Sequence, residues 1–279
     1  MSKSKTQTPG PWTQPWYRVH PAGAMTFSYL VLIHVLSFMG IILFPLPGWN
    51  VFLIAFFLTC LGGFGTTLAY HRGLSHRAFK LNPIVEQLLI FTAVFNGSGV
   101  PARWTANHRH HHAKSDTIED VSTPRYGGFW WAHLRCLYQL PPSDPEVWCP
   151  DLMQKRYLIW ERLQAPIILL SLVWGGLVFG WAGFFWIGGI RLAYSLHLQA
   201  AVNSILHMKP GVPEGGHTAR NLWWLGPLQL TAWGENWHEN HHSAPSSARF
   251  GRRWWQIDIG WYTIRLLQSA GLASKVRAS

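Results

Sequence analysis

PIILLSLVWGGLVFGWAGFFWIGGIRLAYSLHLQAAVNSIL, residues 166–206, is a long apolar run that contains only one charged side chain, Arg191. A helix needs about 20 residues to cross the hydrocarbon core of a bilayer, so this run is long enough for two crossings. GWAGFFW (180–186) near its centre has glycines and two tryptophans, which favour a turn at a membrane interface. The run therefore predicts a helical hairpin with crossings at 166–182 and 186–206.

Two further apolar stretches, 25–44 and 51–70, are also long enough to cross, and PLPGWN (45–50) between them predicts a tight reversal. A shorter stretch, 84–95, is expected to lie in the interface or to pack beneath the polar part. The predicted fold class is thus an all-α membrane protein with four transmembrane helices. Residues 71–165 and 207–279 would form a helical cap, and residues 1–279 one domain.

The basic residues predict the orientation. The segment before the first crossing, the segment 71–165 and the segment 207–279 contain 3, 11 and 8 lysines and arginines, and the two opposite turns contain none. By the positive-inside rule the cap and both termini are cytoplasmic. Because only 13% of residues are charged and no basic nucleic-acid motif occurs, the net charge of +11 does not indicate a nucleic-acid partner. We expect a multi-pass protein of a bacterial inner membrane.

Most of the 15 histidines fall in clusters on the cytoplasmic side of this arrangement. HRGLSH (71–76), HRHHH (108–112) and HENHH (238–242) are the clusters, and His207 ends the fourth crossing. Helical positions i, i+3 and i+4 lie within about 100°, so we expect the triplets of the last two clusters each to converge. His71 and His76 would be about 140° apart on a straight α-helix and are expected to serve two neighbouring ions. The isolated His20, His34, His110, His133, His197 and His217 are interpreted as structural.

Neutral imidazole binds iron, zinc, copper and nickel, and eight or nine imidazoles exceed what one ion accepts. Two ions with four or five nitrogens each fit the count. Glu-x-x-His occurs at 214–217, 235–238 and 239–242, all within one segment, whereas a carboxylate-rich two-metal centre takes such pairs from two separate helices and two further glutamates from two others, so that kind of centre is not expected. Carboxylates near the clusters are candidates to accept the second N–H of the imidazoles: Asp116, Glu119, Asp120, Glu235 and Glu239.

Two other functions fit parts of the pattern. His238-Glu239-Asn240-His241-His242 matches H-E-x-x-H, in which His238 and His242 would bind zinc and Glu239 would be the general base of a membrane protease. That function leaves most other clustered histidines unexplained. A metal transporter would place polar ligands inside its spans, and here the ligands lie outside them.

YHRGLSH, NHRHHHAKSD, NSILH and GENWHENHH together resemble the histidine boxes of the integral-membrane fatty acyl desaturases, in the Δ9-like bacterial and cyanobacterial subgroup. GFWWAH, which follows the second box, also resembles the family. The pattern is H-x4-H, H-x2-H-H, N-x3-H and H-x2-H-H, in this order. The resemblance extends over nearly the whole chain.

The resemblance implies a centre of two iron ions, with O2 as co-substrate, that introduces a cis double bond into an acyl chain. The ligands carried over are His71, His76, His108, His111, His112, His207, His238, His241 and His242, with Asn203 reaching an iron through water. The centre itself is the catalytic group, and no separate side-chain base is assigned. The acyl chain would lie in a bent apolar tunnel, and the nearby tryptophans are candidates for its wall: Trp104, Trp130, Trp131, Trp233 and Trp237.

The resemblance departs at Ala106-Asn107, where animal acyl-CoA desaturases usually have Arg-Asp that helps to hold the CoA. This favours a lipid-bound or acyl-carrier-protein-bound chain over acyl-CoA. Electrons are expected from a separate carrier, such as ferredoxin or a cytochrome b5-like protein with its reductase, and the basic cytoplasmic face suits an acidic donor. A related acetylenase or hydroxylase shares the same pattern.

Overall fold

The computed structural model describes residues 10–213, 216–225 and 233–278, and nearly all of their regular structure is helical. The α-helices among them are α1 (Ala24–Leu43), α2 (Trp49–Phe64), α3 (Pro83–Phe95), α4 (Pro101–Lys114), α5 (Pro124–Trp130), α6 (Cys136–Gln139), α7 (Pro145–Trp148), α8 (Lys155–Gly183), α9 (Arg191–Asn203), α10 (His238–Ser243) and α11 (Ile259–Ser269). Segments of π-helix follow α2, α5 and α8, at Gly65–Ser75, Trp131–Arg135 and Phe184–Ile190. Short 3-10 helices lie at Pro11–Thr13, Pro21–Gly23, Pro150–Leu152, Ile205–His207 and Trp223–Leu225. The strands β1 (Lys80–Leu81) and β2 (Ala273–Ser274) pair antiparallel.

Proline residues and N-terminal capping side chains fix where α3, α4, α5 and α7 begin. α3, α4, α5 and α7 all start with proline, whose φ suits the first helical turn and whose missing N–H is not needed there. Side-chain oxygens of Asn82, Thr123 and Asp144 accept hydrogen bonds from the first turns of α3, α5 and α7. These boundaries are therefore encoded locally in the sequence.

Among the described residues, three helical segments are long and apolar enough to cross a membrane: Pro21–Leu43, Trp49–Ser75 and Lys155–His207. Their outward faces are apolar, as at Phe38 (68% exposed) and Leu177 (80% exposed). Exposing such a continuous apolar surface to water would be unfavourable, whereas a bilayer provides it with a matching solvent.

The third segment reverses direction at Gly180. Gly180 has φ 65° and ψ −157°, a conformation that is non-helical and that glycine adopts without steric cost. Beyond it the chain packs back on α8, because a Cβ at Gly175 would overlap with the Gly183 carbonyl and one at Gly188 would press on Leu172. A turn within 180–186 is thus confirmed. A continuous α-helical geometry resumes in α9, which leads to His207.

α3 and α4 form a second reversal that carries the second histidine cluster. α3 packs so closely on α2 and its π-helical extension that a Cβ at Gly62 would overlap with Asn96. The hydroxyl groups of Thr66 and Ser98 are 2.7 Å apart and join the turn after α3 to the π-helix. α4 then runs back and places its histidines beside the π-helix. The other face of α3 is exposed and apolar, in agreement with the expectation for 84–95.

Candidate metal centre

Nine histidines form two adjacent groups of possible metal ligands. The first group is His71, His76, His108, His112 and His241, and the second is His111, His207, His238 and His242. Within each group the ligand nitrogens all lie within 4.8 Å of one another. These are the nine histidines named as ligand candidates from the sequence, and groups of five and four are compatible with four or five nitrogens for each ion.

His71 and His76 lie in the same group, which corrects the expectation that they serve different ions. The cause is the π-helix Gly65–Ser75, in which the backbone N–H of His76 donates to the carbonyl of His71, 3.1 Å away. In a π-helix the hydrogen bond joins residues i and i+5, so these residues lie one above the other. The wider winding therefore brings together two side chains that an α-helix would hold about 140° apart.

The second and third clusters are each divided between the two groups, which corrects the expectation that each triplet converges on one site. On α4, His108 and His112 join the first group and His111 joins the second. On α10 the assignment is reversed, because His238 and His242 join the second group and His241 joins the first. Each helix thus gives its i, i+4 pair to one group and its i+3 residue to the other.

The distances between facing ring nitrogens are those expected for imidazoles that share one metal ion. Five pairs of Nε2 atoms lie 2.8–3.1 Å apart: His71–His241, His76–His108, His112–His241, His207–His238 and His238–His242. Two nitrogens bound at right angles, each about 2.1 Å from one ion, are about 3.0 Å apart. Nε2 of His111 is buried without a hydrogen-bond partner and belongs to the second group. A cation in each group would satisfy these lone pairs.

Burial keeps most of these rings neutral and able to bind a metal. Desolvation, reinforced by neighbouring histidines, lowers the pKa of six ligand candidates well below the ordinary 6.5: His76, His108, His112, His238, His241 and His242. A neutral imidazole has a lone pair for a metal, and a protonated one has none. Five of the nine rings are buried and the other four are partly exposed.

Three of the five predicted carboxylates contact the outer nitrogens of these rings. Nδ1 of His71 lies 2.8 Å from Glu235, and Nδ1 of His111 lies 2.9 Å from Asp120. Asp116 is 3.9 Å from Nδ1 of His207 and holds the Thr218 hydroxyl that adjoins the same nitrogen. Such carboxylates fix the tautomer that leaves Nε2 available to a metal.

The charge state of Asp120 follows from its partners. Burial acts to raise the pKa of this carboxyl, but the contact with His111 and the backbone N–H groups of Asp116 and Ser122 outweigh burial and lower it. Asp120 is therefore a carboxylate that accepts the Nδ1 proton of His111.

The other two predicted carboxylates lie on the surface. Glu119 pairs with Lys114, and Glu239 pairs with Lys209 at 2.7 Å. Glu239 is thus directed to solvent, which disagrees with its role as general base in a zinc protease. His241, which that function does not use, lies in the first group.

Two arginines that sequence reasoning missed hold the clusters in place. Arg72 is fully buried, pairs with Asp258 at 2.9 Å and lies over the ring of Phe250, which contacts His71 and His241. Arg109 donates to the carbonyls of Leu74 and Ser75 at the end of the π-helix, and to Asp151. The available signal was that an arginine directly follows the first histidine in two clusters.

Only one of the five tryptophan candidates is in ring contact with the ligand histidines. Trp104 stacks on His108 with ring centres 4.9 Å apart, and it also contacts His71. Trp233 stacks on Phe64, and the remaining three pack elsewhere: Trp237 against Trp255, Trp131 against Trp12, and the half-exposed Trp130 against Trp16.

Two further polar residues have defined positions. Asn203 is the last residue of α9 and is partly buried, four residues before His207, so its water-mediated role stays a prediction. His110 is directed away from both groups, because it stacks on Trp148 and its Nδ1 lies 2.9 Å from the Ser143 hydroxyl.

Sequence comparison agrees with this geometry. The model of the fatty acid desaturase family matches residues 47–267. The chain therefore belongs to the fatty acid desaturase family. It is a membrane enzyme that desaturates fatty acyl chains.

Individual relatives cover most of the chain. "Delta-9 acyl-lipid desaturase 2" of Arabidopsis thaliana is 33% identical over 95% of this chain and 85% of its own length. "sn-2 palmitoyl-lipid 9-desaturase" of Nostoc is 34% identical over 83% of each chain. "Icosanoyl-CoA 5-desaturase" of Limnanthes douglasii is 33% identical over 96% of this chain and 75% of its own length.

Proposed function

We propose that the two histidine groups bind two iron ions and that the enzyme uses O2 to introduce a cis double bond into a lipid-bound acyl chain. The observation that carries this proposal is the division of nine buried or partly buried imidazoles into adjacent groups of five and four. Imidazole suits iron, and two ions at adjacent sites can together exchange two electrons with O2. The overall reaction is –CH2–CH2– + O2 + 2 electrons + 2 H+ → –CH=CH– + 2 H2O.

Residues of this chain prepare the centre for that chemistry. Glu235, Asp120 and Asp116 orient the rings from their outer side, and burial keeps most of the rings neutral by lowering their pKa. When bound, the irons would supply the redox chemistry that activates O2 towards an unactivated C–H bond. A dry site protects such an oxidant from side reactions with water.

The position of the double bond must come from how the acyl chain is held, because neighbouring CH2 groups are chemically alike. The proposed tunnel passes Trp104, whose ring stacks on His108 and therefore adjoins the first group. Trp233, Trp237, Trp131 and Trp130 remain candidates for more distant parts of the wall.

We propose an acyl lipid as the substrate rather than acyl-CoA. Ala106 is fully buried, and Oδ1 of Asn107 accepts the backbone N–H of Ser143 at 2.8 Å. Both residues are therefore used inside the cap, at the position where the animal acyl-CoA enzymes have Arg-Asp. The names of the Arabidopsis and Nostoc relatives, which specify acyl lipids, support the same choice, and the Limnanthes relative is named for acyl-CoA.

We further propose that the third apolar segment crosses the membrane twice, which gives four crossings with both termini and the cap in the cytoplasm, at a bacterial inner membrane. The reversal at Gly180 and the charge distribution support this topology.

Single-cysteine variants test this topology after replacement of the three natural cysteines by serine. Leu46→Cys and Trp181→Cys should react with an impermeant thiol reagent from the periplasmic side, and Ile118→Cys and Trp254→Cys only after the membrane is opened. If Trp181→Cys and Ile118→Cys both reacted from the periplasmic side of an intact membrane, the hairpin would be contradicted.

Two electrons per turnover would come from a separate carrier, such as ferredoxin or a cytochrome b5-like protein with its reductase. The excess of basic residues on the cap side suits an acidic donor, since complementary charge accelerates encounter. Rates should therefore fall as ionic strength rises.

Expression in a host with saturated lipids, with a competent electron donor, tests the function. We expect about two irons per chain and new cis double bonds that mass spectrometry locates in membrane lipids. Triple bonds or hydroxyl groups would instead assign the related acetylenase or hydroxylase outcome. One zinc per chain, without modified lipids, would overturn the proposal. Parallel assays with acyl-CoA, acyl-carrier-protein and phospholipid substrates identify the carrier.

A further inference from the structure

α11 has one buried face and one exposed face. Ile264, on the inner side, is fully buried. Tyr262 and Leu266 lie one turn apart on the opposite side and are 54% and 68% exposed. The outward side of a helix on a water-soluble protein is normally polar, whereas this side has two large apolar side chains with Arg265 between them. We call Tyr262, Arg265 and Leu266 the outer face of α11.

The first turn of α11 lies beside the second membrane-spanning segment, Trp49–Ser75. The indole N–H of Trp233 donates to the Cys60 carbonyl of that segment at 2.9 Å, and the Trp233 ring stacks on Phe64. The carbonyl of Trp233 in turn accepts the backbone N–H of Gly260 at 3.1 Å. α11 therefore begins next to the apolar part of a membrane span.

The end of α11 is fixed next to α3. Strand β2, which follows α11, pairs with strand β1, which precedes α3. α3 presents apolar side chains at the surface, with Ile84 72% exposed and Leu88 61% exposed. Both ends of α11 are thus held at elements whose exposed surface is apolar, as a membrane requires.

The chain after Glu239 presents only basic charged side chains at the surface. Its one acidic residue is Asp258, which is buried in its pair with Arg72. The exposed arginines of α11 and of the segment before it are Arg252, Arg253 and Arg265. Basic residues beside a membrane are attracted to anionic lipid head groups, so this charge is complementary to an anionic lipid surface.

Trp254 suits the same environment. It is 91% exposed and directly follows Arg252 and Arg253. Tryptophan and tyrosine are enriched where lipid head groups meet water, because each combines an apolar ring with a hydrogen-bond donor. Aromatic, leucine and arginine side chains together are typical of helices that lie in a membrane interface.

We propose that α11 and residues 252–254 anchor the cap in the head-group layer of the adjacent membrane, and that the partner of this anchor is an anionic lipid surface. Tyr262 and Leu266 enter the boundary between head groups and acyl chains, and the arginines contact head-group phosphates. The position of α11 between a membrane span and α3 brings its outer face to the bilayer without any further component.

The anchor is connected to the helix that carries the third histidine cluster. Oε1 of Gln256 accepts the backbone N–H groups of Arg252 and Arg253, at 2.8 and 3.0 Å, and a side-chain N–H of Asn240 at 3.0 Å. Asn240 belongs to α10, which contains ligand candidates of both groups. Lipid contact at the anchor therefore holds α10 at a fixed distance from the membrane.

Spin labelling of the full-length protein in lipid nanodiscs tests the anchor. Leu266→Cys carries the label after replacement of the three natural cysteines by serine, and Ile118→Cys, 57% exposed elsewhere in the cap, is the control. Molecular oxygen concentrates in the hydrocarbon layer, whereas a nickel chelate stays in water. We expect collisions with oxygen to dominate for the Leu266→Cys label and collisions with nickel to dominate for the Ile118→Cys label.

Two results of this measurement would overturn the anchor. If the Leu266→Cys label met nickel as often as the Ile118→Cys label, the outer face would lie in water. Broadening of the Leu266→Cys spectrum by a second label in the same disc would show that another copy of the chain covers the outer face.

Lipid charge tests the role of the arginines. Discs of phosphatidylcholine are compared with discs that also contain phosphatidylglycerol, and the Leu266→Cys label reports the ratio of docked to undocked α11. Each arginine near the anionic surface should raise this ratio about fivefold. Arg253→Gln combined with Arg265→Gln should remove most of the effect. The matched control, Lys155→Gln combined with Arg156→Gln at the start of α8, should keep it.

A ratio that does not depend on phosphatidylglycerol in the otherwise unchanged chain would overturn the anionic lipid as partner, and so would a full response of Arg253→Gln combined with Arg265→Gln. Neither measurement needs iron or turnover. Their results therefore decide on the anchor separately from the proposed function.

Discussion

Nδ1 of His71 lies 2.8 Å from Oε2 of Glu235, which joins a residue of the first histidine cluster to a carboxylate three residues before the third. Thr67, one helical turn before His71, donates its hydroxyl to the other oxygen of the same carboxylate. Burial acts to raise the pKa of Glu235, but His71, Arg72 and Thr67 together lower it, so the group is a carboxylate. It therefore fixes the Nδ1–H tautomer of His71 and leaves Nε2 for the metal.

Glu235→Gln should weaken metal binding without removing a ligand. Loss of the negative charge lowers the basicity of His71, and we expect one of the two irons to be held about 10–100-fold more weakly. Competition with a chelator, followed by metal analysis, measures the change. Glu239→Gln is the matched control, because Glu239 pairs with Lys209 on the surface. Equal metal retention in the two variants would contradict the role of Glu235.

His112→Ala and His110→Ala compare two neighbouring histidines of α4. His112 belongs to the first group, whereas His110 stacks on Trp148 and contacts Ser143. We expect His112→Ala to lose at least one iron and to form no detectable product, and His110→Ala to keep both irons and most activity. Metal content and product yield of the two purified variants check the assignment. Retention of two irons by His112→Ala would remove it from the ligand set.

The sequence predicted the helical class and the turn within 180–186, because these features depend on local composition. The nine ligand candidates came from the resemblance to the desaturase family, and their binding of metal stays a prediction. The sequence did not predict the π-helix Gly65–Ser75, since no apolar periodicity distinguishes a π-helix from the α-helix that precedes it. The shared group of His71 and His76 follows from that winding.

Contacts between segments that are far apart in the chain could also not be predicted from the sequence. Asp258 stands far from every histidine cluster in the chain, yet it pairs with Arg72 beside His71. His34, His197 and His133 lie in three separate segments and look isolated in sequence, and the packing of α1 and of the π-helix Trp131–Arg135 on α9 joins them. Glu119 and Glu239 stand close to ligands in sequence, but their side chains extend to solvent.

Asp258→Asn should destabilise the protein strongly. The carboxylate pairs with the fully buried Arg72 and accepts the backbone N–H groups of Phe250 and Trp261. Removing one partner leaves a buried charge without compensation, which costs about 3–5 kcal/mol. Thermal unfolding in a fixed detergent should show a fall of about 10 °C.

A surface pair is the control for that measurement. Glu161 pairs with Arg103, and both side chains are at least partly exposed, so Glu161→Gln should change the unfolding temperature by about 2 °C or less. Similar losses in the two variants would show that Asp258 acts like an ordinary surface charge.

Asp151 should make stability depend on pH through its contacts with Arg109 and Arg77. Burial acts to raise the pKa of this carboxyl, but the hydrogen bonds and charges of the two arginines outweigh burial and lower it below its unfolded value. A group whose folded pKa is depressed stabilises the protein above its unfolded pKa, about 3.9, and this contribution disappears as pH falls through the folded pKa. At pH 7 the free energy of unfolding of Asp151→Asn should therefore be about 1 kcal/mol smaller than that of wild type, since the pair is partly exposed. The variant should unfold at a correspondingly lower temperature. The difference should shrink as pH falls through the folded pKa and should vanish once Asp151 is protonated in the folded protein as well as in the unfolded chain. Thermal unfolding of both proteins across this range measures it, and a difference that stays constant with pH would assign the loss to packing instead of charge.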